Sequence, residues 1–291
     1  MSELPHRDPG GLGRMMGAPR SVLYVPASRR DFLAKVPSLS ADFVLIDLED
    51  GVAPSAKEEA RDNVRAAVAA GDLAGHRPWM LRINVGRLGP PPEDLMLVGF
   101  AKPPVVVLPK AEDPEFVRAL AGRFADHNAA TALMIETAAG VTCAAALMAA
   151  HPAVCMAIVG SEDLRLSLRA RPDPDRAWER YALSAILVAA RRCGRVAIDS
   201  AYLKYRDRRG LERHAAVARD LGFDGKSCIH PSQIPVVHEV YTSTEEEVDW
   251  ARRVLTAWAE GNGAAKGLVA MDGEMIEALH VSVAERILGR A

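Results

Sequence analysis

Short apolar runs recur along the chain, and most are followed by a longer stretch with helical spacing and a Gly or Pro break. The runs occupy 21–25 (SVLYV), 43–47 (FVLID), 79–83 (WMLRI), 105–108 (VVVL), 132–136 (ALMIE), 155–159 (CMAIV), 195–199 (RVAID) and 225–229 (GKSCI). They are near-continuously apolar instead of alternating, which marks strands covered on both faces in a parallel sheet. Between them the apolar spacing predicts helices over 55–70, 114–127, 140–149, 175–192 and 211–221. Eight such units predict an α/β chain whose strands close into a (β/α)₈ TIM barrel over residues 20–262.

Beyond the eighth run, Ser243 or Thr244 ahead of Glu246 and Glu247 marks a capped helix start with acids in its first turn. GNGAAKG then reads as a joint, and MDGEMIEALHVSVAERILGRA as a last amphipathic helix with no strand to cover. Residues 263–291 are therefore expected as an appended helical segment that needs a partner surface. Residues 1–19 carry helix breakers throughout and no apolar core of signal length, and are expected as a loose leader.

Composition narrows the function. The 291 residues are 49% hydrophobic and 25% charged, and 36 basic residues nearly cancel 38 acidic ones. A net charge of −2 offers no strong field to nucleic acid or an anionic membrane, so a small-molecule enzyme is expected. The four cysteines stand apart without a CxxC pair, which fits reduced thiols in a cytoplasmic protein.

Barrel enzymes place their chemistry at the carboxyl ends of the strands. Here those ends carry Asp47, Glu49 and Asp50; Arg82; Lys110; Glu136; Ser161, Glu162 and Asp163; Asp199; and His230. Glu136 and Asp163 close successive strands, so their carboxylates are expected as neighbours at one rim. Such a pair serves either a hard cation such as Mg²⁺ or salt bridges to nearby arginines. The absence of a His/Cys cluster argues against zinc. Arg82 sits inside an apolar run, where its guanidinium needs an anion: a substrate carboxylate or enolate oxygen, or the acids of DLED. Glu49 and Asp50 are expected to orient Arg82, Lys110 or metal-bound water. His230 could serve as a general acid/base, but ahead of Pro231 it reads rather as a turn-capping residue, and the GLG and GNG tripeptides lack the context of a dinucleotide site.

In order along the chain, RSVLYVPAS, VLIDLEDGVAPSAKEEAR, LRIN, LPKAED, LMIETAAGV, VGSEDL, IDSAYLKYRD and GKSCIHPSQI resemble the HpcH/HpaI aldolase and citrate lyase beta-subunit family. Within it, the likeness is to stand-alone malyl-CoA and citramalyl-CoA lyases. The resemblance implies a Mg²⁺-dependent carbon–carbon lyase, trimeric or hexameric, that cleaves a CoA thioester into an acyl-CoA and a 2-oxo acid such as glyoxylate or pyruvate. It places the metal-binding pair on Glu136 and Asp163 and the substrate-contacting arginine on Arg82. Relatives carry a C-terminal DGxMID segment that crosses a subunit boundary and ends in an acid/base Asp. Here it reads DGEMIE over 272–277, so Glu277 becomes the candidate, with reach altered by about 1.5 Å. Asp272 is the second choice, and the resemblance implies that residues 263–291 form a helical lid and oligomer contact over a neighbour's barrel mouth. VPAS at 25–28 replaces the PGD or PGN of many relatives, which bears on substrate preference. Two alternatives stand beside the lyase: a citrate lyase beta-like subunit acting on a carrier-bound thioester, and a catalytically weak CoA-ester or oxo-acid binding protein.

Overall fold

A computed structural model describes residues 18–73, 78–173 and 175–289. The expected leader, 1–19, lies outside the described residues except for its last two. Contacts divide the chain into two compact units, 1–237 and 238–291.

The first unit is a closed barrel of eight parallel strands in chain order: β1 Ser21–Pro26, β2 Phe43–Asp47, β3 Trp79–Arg82, β4 Val105–Leu108, β5 Ala130–Ile135, β6 Val154–Val159, β7 Val196–Asp199 and β8 Gly225–Cys228. Pairing of Ser21 with Lys226 and Leu23 with Cys228 closes the cylinder and leaves it no edge. Every apolar run of the sequence reading overlaps one of these strands, with ends that differ by no more than two residues. Helices Lys57–Ala70, Pro92–Ala101, Pro114–Ala125, Ala138–Ala149, Arg180–Arg192 and Arg208–Leu221 cross between strands.

Side chains alternate across a strand. Val22, Phe43, Leu45, Met80, Val105, Val107, Ala132, Met134, Met156, Ile158 and Ile198 pack into one buried cluster, which identifies the inward-facing set. Extending that alternation by one step brings Asp47 after Leu45, Arg82 after Met80 and Glu136 after Met134. The interior is thus apolar for most of its height and charged at the carboxyl end.

The second unit holds helix Glu245–Glu260, the antiparallel hairpin of β9 Leu268–Met271 and β10 Glu274–Glu277, and helix Ala278–Leu288. Thr244 caps the first helix through a capping box with Glu247. Ala251 and Val254 of that helix share a buried cluster with Val269, Ile276 and Ala284. That shared cluster joins the helix Glu245–Glu260 to the hairpin and the last helix.

The last segment also corrects the sequence reading, since residues 271–277 form a hairpin and not the start of a helix. Asp272 and Gly273 both have positive φ (54° and 85°), the two-residue turn whose twist matches antiparallel strands. Among the described residues no helix is long and apolar enough to cross a membrane.

Candidate active site

Two neighbouring strands build one half of the site. Arg82 of β3 donates from Nε to Asp47 Oδ1 and from Nη2 to Asp47 Oδ2, each at 2.6 Å, a bidentate fork at the end of β2. Its Nη1 lies 3.1 Å from Glu49 Oε2 and 3.3 Å from Met134 Sδ. Arg82, Asp47 and Glu49 are all buried, and the guanidinium also stands over the Tyr24 ring. Burial would lower the Arg82 pKa, but the bonds and charge of Asp47 raise it above the usual value. Asp47 further accepts the Glu49 and Gly51 amides, at 2.8 and 2.9 Å, which curls the β2 exit into a turn.

The other half is built around Glu136, which follows β5. Its Oε1 accepts the Lys110 amide at 2.7 Å, and Lys110 holds a left-handed backbone (φ 50°) just past β4. The Lys110 ammonium pairs with Glu49 and lies 3.4 Å from Asp50 and 3.9 Å from Asp163. Gly160, directly after β6, makes room for the acid: a Cβ there would meet Glu136 Oε2 at 2.4 Å. Asp163 lies in the first turn of the short helix Ser161–Ser167 that follows.

Glu136 is 2% exposed. Burial pushes its carboxyl up to about 8, and the charge of Asp163 adds to the rise against the Lys110 amide. Burial likewise raises Glu49 despite Arg82 and Lys110.

Glu136 and Asp163 open with Arg82, Asp47, Asp50 and Ser161 onto one cavity of about 420 Å³. Every residue lining it belongs to the barrel unit. Among the described residues no group of three or more His, Cys, Asp or Glu side chains forms a metal cage. Two carboxylates with open positions suit Mg²⁺, which keeps several waters and takes the rest of its ligands from substrate.

The fold therefore brings together Glu49, Asp50, Arg82, Lys110, Glu136 and Asp163. Glu277 lies in the second unit, exposed, at the end of β10, where its amide meets His280 Nδ1 at 3.0 Å. Asp272 pairs with Arg253 within that unit. His230 Nδ1 accepts the Ser232 amide and caps the turn Pro231–Gln233. Tyr24 received no role from the sequence reading, and Asp47 only that of one of the DLED acids open to Arg82, which is the partner it proves to be. The signal for Asp47 was present, since Phe43, Leu45 and Asp47 share one strand face.

A model described as HpcH/HpaI aldolase/citrate lyase matches residues 20–231, and one described as a C-C bond lyase of the TIM-barrel fold matches 176–291. The chain is 35% identical over 272 residues to a (3S)-malyl-CoA thioesterase of Cereibacter sphaeroides, covering 94% of both. It is 34% identical to the mitochondrial citramalyl-CoA lyase of Mus musculus, covering 92% of this chain and 85% of that one. Among solved structures, protein CitE of Mycobacterium tuberculosis in complex with magnesium, acetoacetate and coenzyme A superimposes with a TM-score of 0.79. The two are 35% identical over 95% of this chain and 99% of that one. With a family model spanning most of the barrel and curated relatives aligned over nearly the whole length, the chain belongs to the HpcH/HpaI aldolase/citrate lyase family.

Proposed function

We propose that the protein is a Mg²⁺-dependent carbon–carbon lyase that cleaves a malyl-CoA- or citramalyl-CoA-like thioester to an acyl-CoA and a 2-oxo acid. The observation that carries this reading is the carboxylate pair Glu136 and Asp163 opening with Arg82 onto one cavity. The pair fits a hard cation. Glu136 is buried against a second carboxylate, and a divalent ion would relieve the penalty that holds its proton on. Glu136 and Asp163 would hold the ion, which supplies Lewis-acid polarisation of the oxo-acid oxygens.

The remaining chemistry belongs to the chain. Cleavage removes the hydroxyl proton, breaks the adjacent carbon–carbon bond and sends that electron pair into a thioester enolate. Arg82, fixed by Asp47, offers its guanidinium to the developing oxyanion, and in comparable sites one such donor is worth about 3 kcal/mol. Lys110 holds Glu49 beside Arg82 and presents its amide to Glu136, so both halves of the site are tied through one residue. Glu277, from a neighbouring copy in a homotrimer or hexamer, delivers the proton to the enolate carbon, and the hairpin that carries it excludes water. We place the enzyme in the cytoplasm, in keeping with its four free cysteines.

The test is a cleavage assay on malyl-, methylmalyl- and citramalyl-CoA that follows both 2-oxo acid and free thiol. Oxo-acid release is expected to stop on chelation and return with Mg²⁺; turnover that survives chelation overturns the mechanism. The likeness to a malyl-CoA thioesterase supports a second reading, in which thioester hydrolysis follows cleavage. Cleavage alone leaves the thioester intact, so free thiol released along with the oxo acid, up to one per oxo acid, would mark it.

A further inference from the structure

Behind the barrel mouth lies a second group of charges that the chemistry above does not use. Lys226 of β8, Asp199 of β7, Arg176 and Glu179 are each at most 2% exposed. Lys226 Nζ donates to Asp199 Oδ2 at 2.6 Å and to the Ser200 carbonyl at 2.5 Å, and lies 2.7 Å from His214 Nδ1. Arg176 forks onto both Asp199 oxygens at 3.0 and 2.6 Å, and its Nε donates to Glu179 Oε1 at 2.6 Å. Glu179 Oε2 then accepts from Ser161 Oγ at 2.5 Å. Two cations and two anions balance, so the chain of bonds closes without a stranded charge.

A buried ion network of this size is poor value as stability alone, because desolvation offsets most of the attraction; its better-attested use is to specify geometry. Arg176 even holds a left-handed backbone (φ 58°), a conformation that persists only where the surroundings over-determine it. The end of the chain tells what is specified. Ser161 opens the helix Ser161–Ser167, which has only seven residues and no side-chain cap at Gly160. Such a first turn frays unless it is tied down. Among the described residues the one side-chain bond from that turn to the buried charges is Ser161 to Glu179, and Asp163 lies two residues further along the same turn. At the far end, Ser167 Oγ accepts the Ala138 amide at 3.0 Å, which fixes the helix to the first residue of the helix Ala138–Ala149.

We propose that the chain Lys226, Asp199, Arg176, Glu179, Ser161 holds the first turn of this helix so that the Asp163 carboxylate is set in place before any ion arrives. Ser161 and Glu179 are positioning residues for Asp163. This rests on the reading of Glu136 and Asp163 as the magnesium pair, so the test measures ion binding itself, without substrate.

Mg²⁺ alone is titrated calorimetrically into the full chain, with folding followed by circular dichroism. Ser161→Ala is expected to weaken binding about 10- to 100-fold with the fold unchanged, the usual effect of losing a group that orients a ligand. Ser161→Thr, which keeps the hydroxyl, is expected to restore it. Glu179→Gln should weaken binding to a similar extent, and the double variant should bind no more weakly than the worse single one. Where Glu179→Gln fails to fold, the Ser161 pair decides alone. Wild-type affinity in Ser161→Ala, no recovery in Ser161→Thr, or additive losses in a folded double variant would each overturn the proposal while leaving the metal reading intact. A wild type that takes up no Mg²⁺ would overturn both.

Discussion

Arg82 shows how much one residue's partners limit what it can do. Its fork is occupied by Asp47, so its position is fixed before substrate enters, and a lysine cannot reproduce two parallel bonds to one carboxylate. Arg82→Lys is expected to keep the circular dichroism spectrum and to lower kcat by about 100-fold or more; an unchanged kcat would remove Arg82 from the chemistry. His214 makes a second residue-scale prediction, about stability. Burial, aided by the charge of Lys226, pushes its pKa down to about 4 from 6.5. Between those values the unfolded chain binds a proton that the folded chain refuses, so stability falls as pH drops from about 6.5 towards 4. The loss is on the order of 3 kcal/mol. In urea unfolding, His214→Gln should show a shallower fall over this window than wild type; parallel curves would contradict the assignment.

At the scale of elements, the site is a property of where strands stop. On β2, β3 and β5 the inward alternation that fills the barrel with apolar side chains runs one step further and ends in Asp47, Arg82 and Glu136. On β6 the same step reaches Gly160, and its missing side chain is the space that Glu136 fills. Gly160→Ala should therefore displace Glu136 and weaken Mg²⁺ binding about 10-fold or more, measured calorimetrically, with kcat falling alongside. Unchanged affinity would show that the acid has room elsewhere. The strand positions were legible because a near-continuous apolar run is a local signal. The hairpin of β9 and β10 was not, because MDGEMIE carries apolar residues at spacings that suit either period. The Asp272–Gly273 pair, with both φ positive, decides for the turn.

At the scale of the whole molecule, the cavity is lined by the barrel unit and Glu277 belongs to the second unit. If Glu277 serves a neighbouring copy's barrel, two inactive variants should rescue each other. Glu136→Gln and Glu277→Gln, each inactive alone, are expected to regain activity when co-expressed and purified as a mixed assembly, because some sites then combine an intact barrel with an intact hairpin. No recovery in a verified mixed assembly would place Glu277 outside the neighbour's site. The sequence by itself determined the eight strands, their order and the charged residues that end them, since apolar periodicity and chain breaks act over a few neighbouring residues. It did not determine which of those charges meet. Arg82 reaches Asp47 across 35 residues, Lys110 reaches Glu49 across 61, and Lys226 reaches Asp199 across 27. Those pairings exist because parallel strand pairing sets residues distant in the chain side by side, as in Asp47 beside Arg82 and Asp199 beside Lys226, where burial makes an unpaired charge too costly to keep.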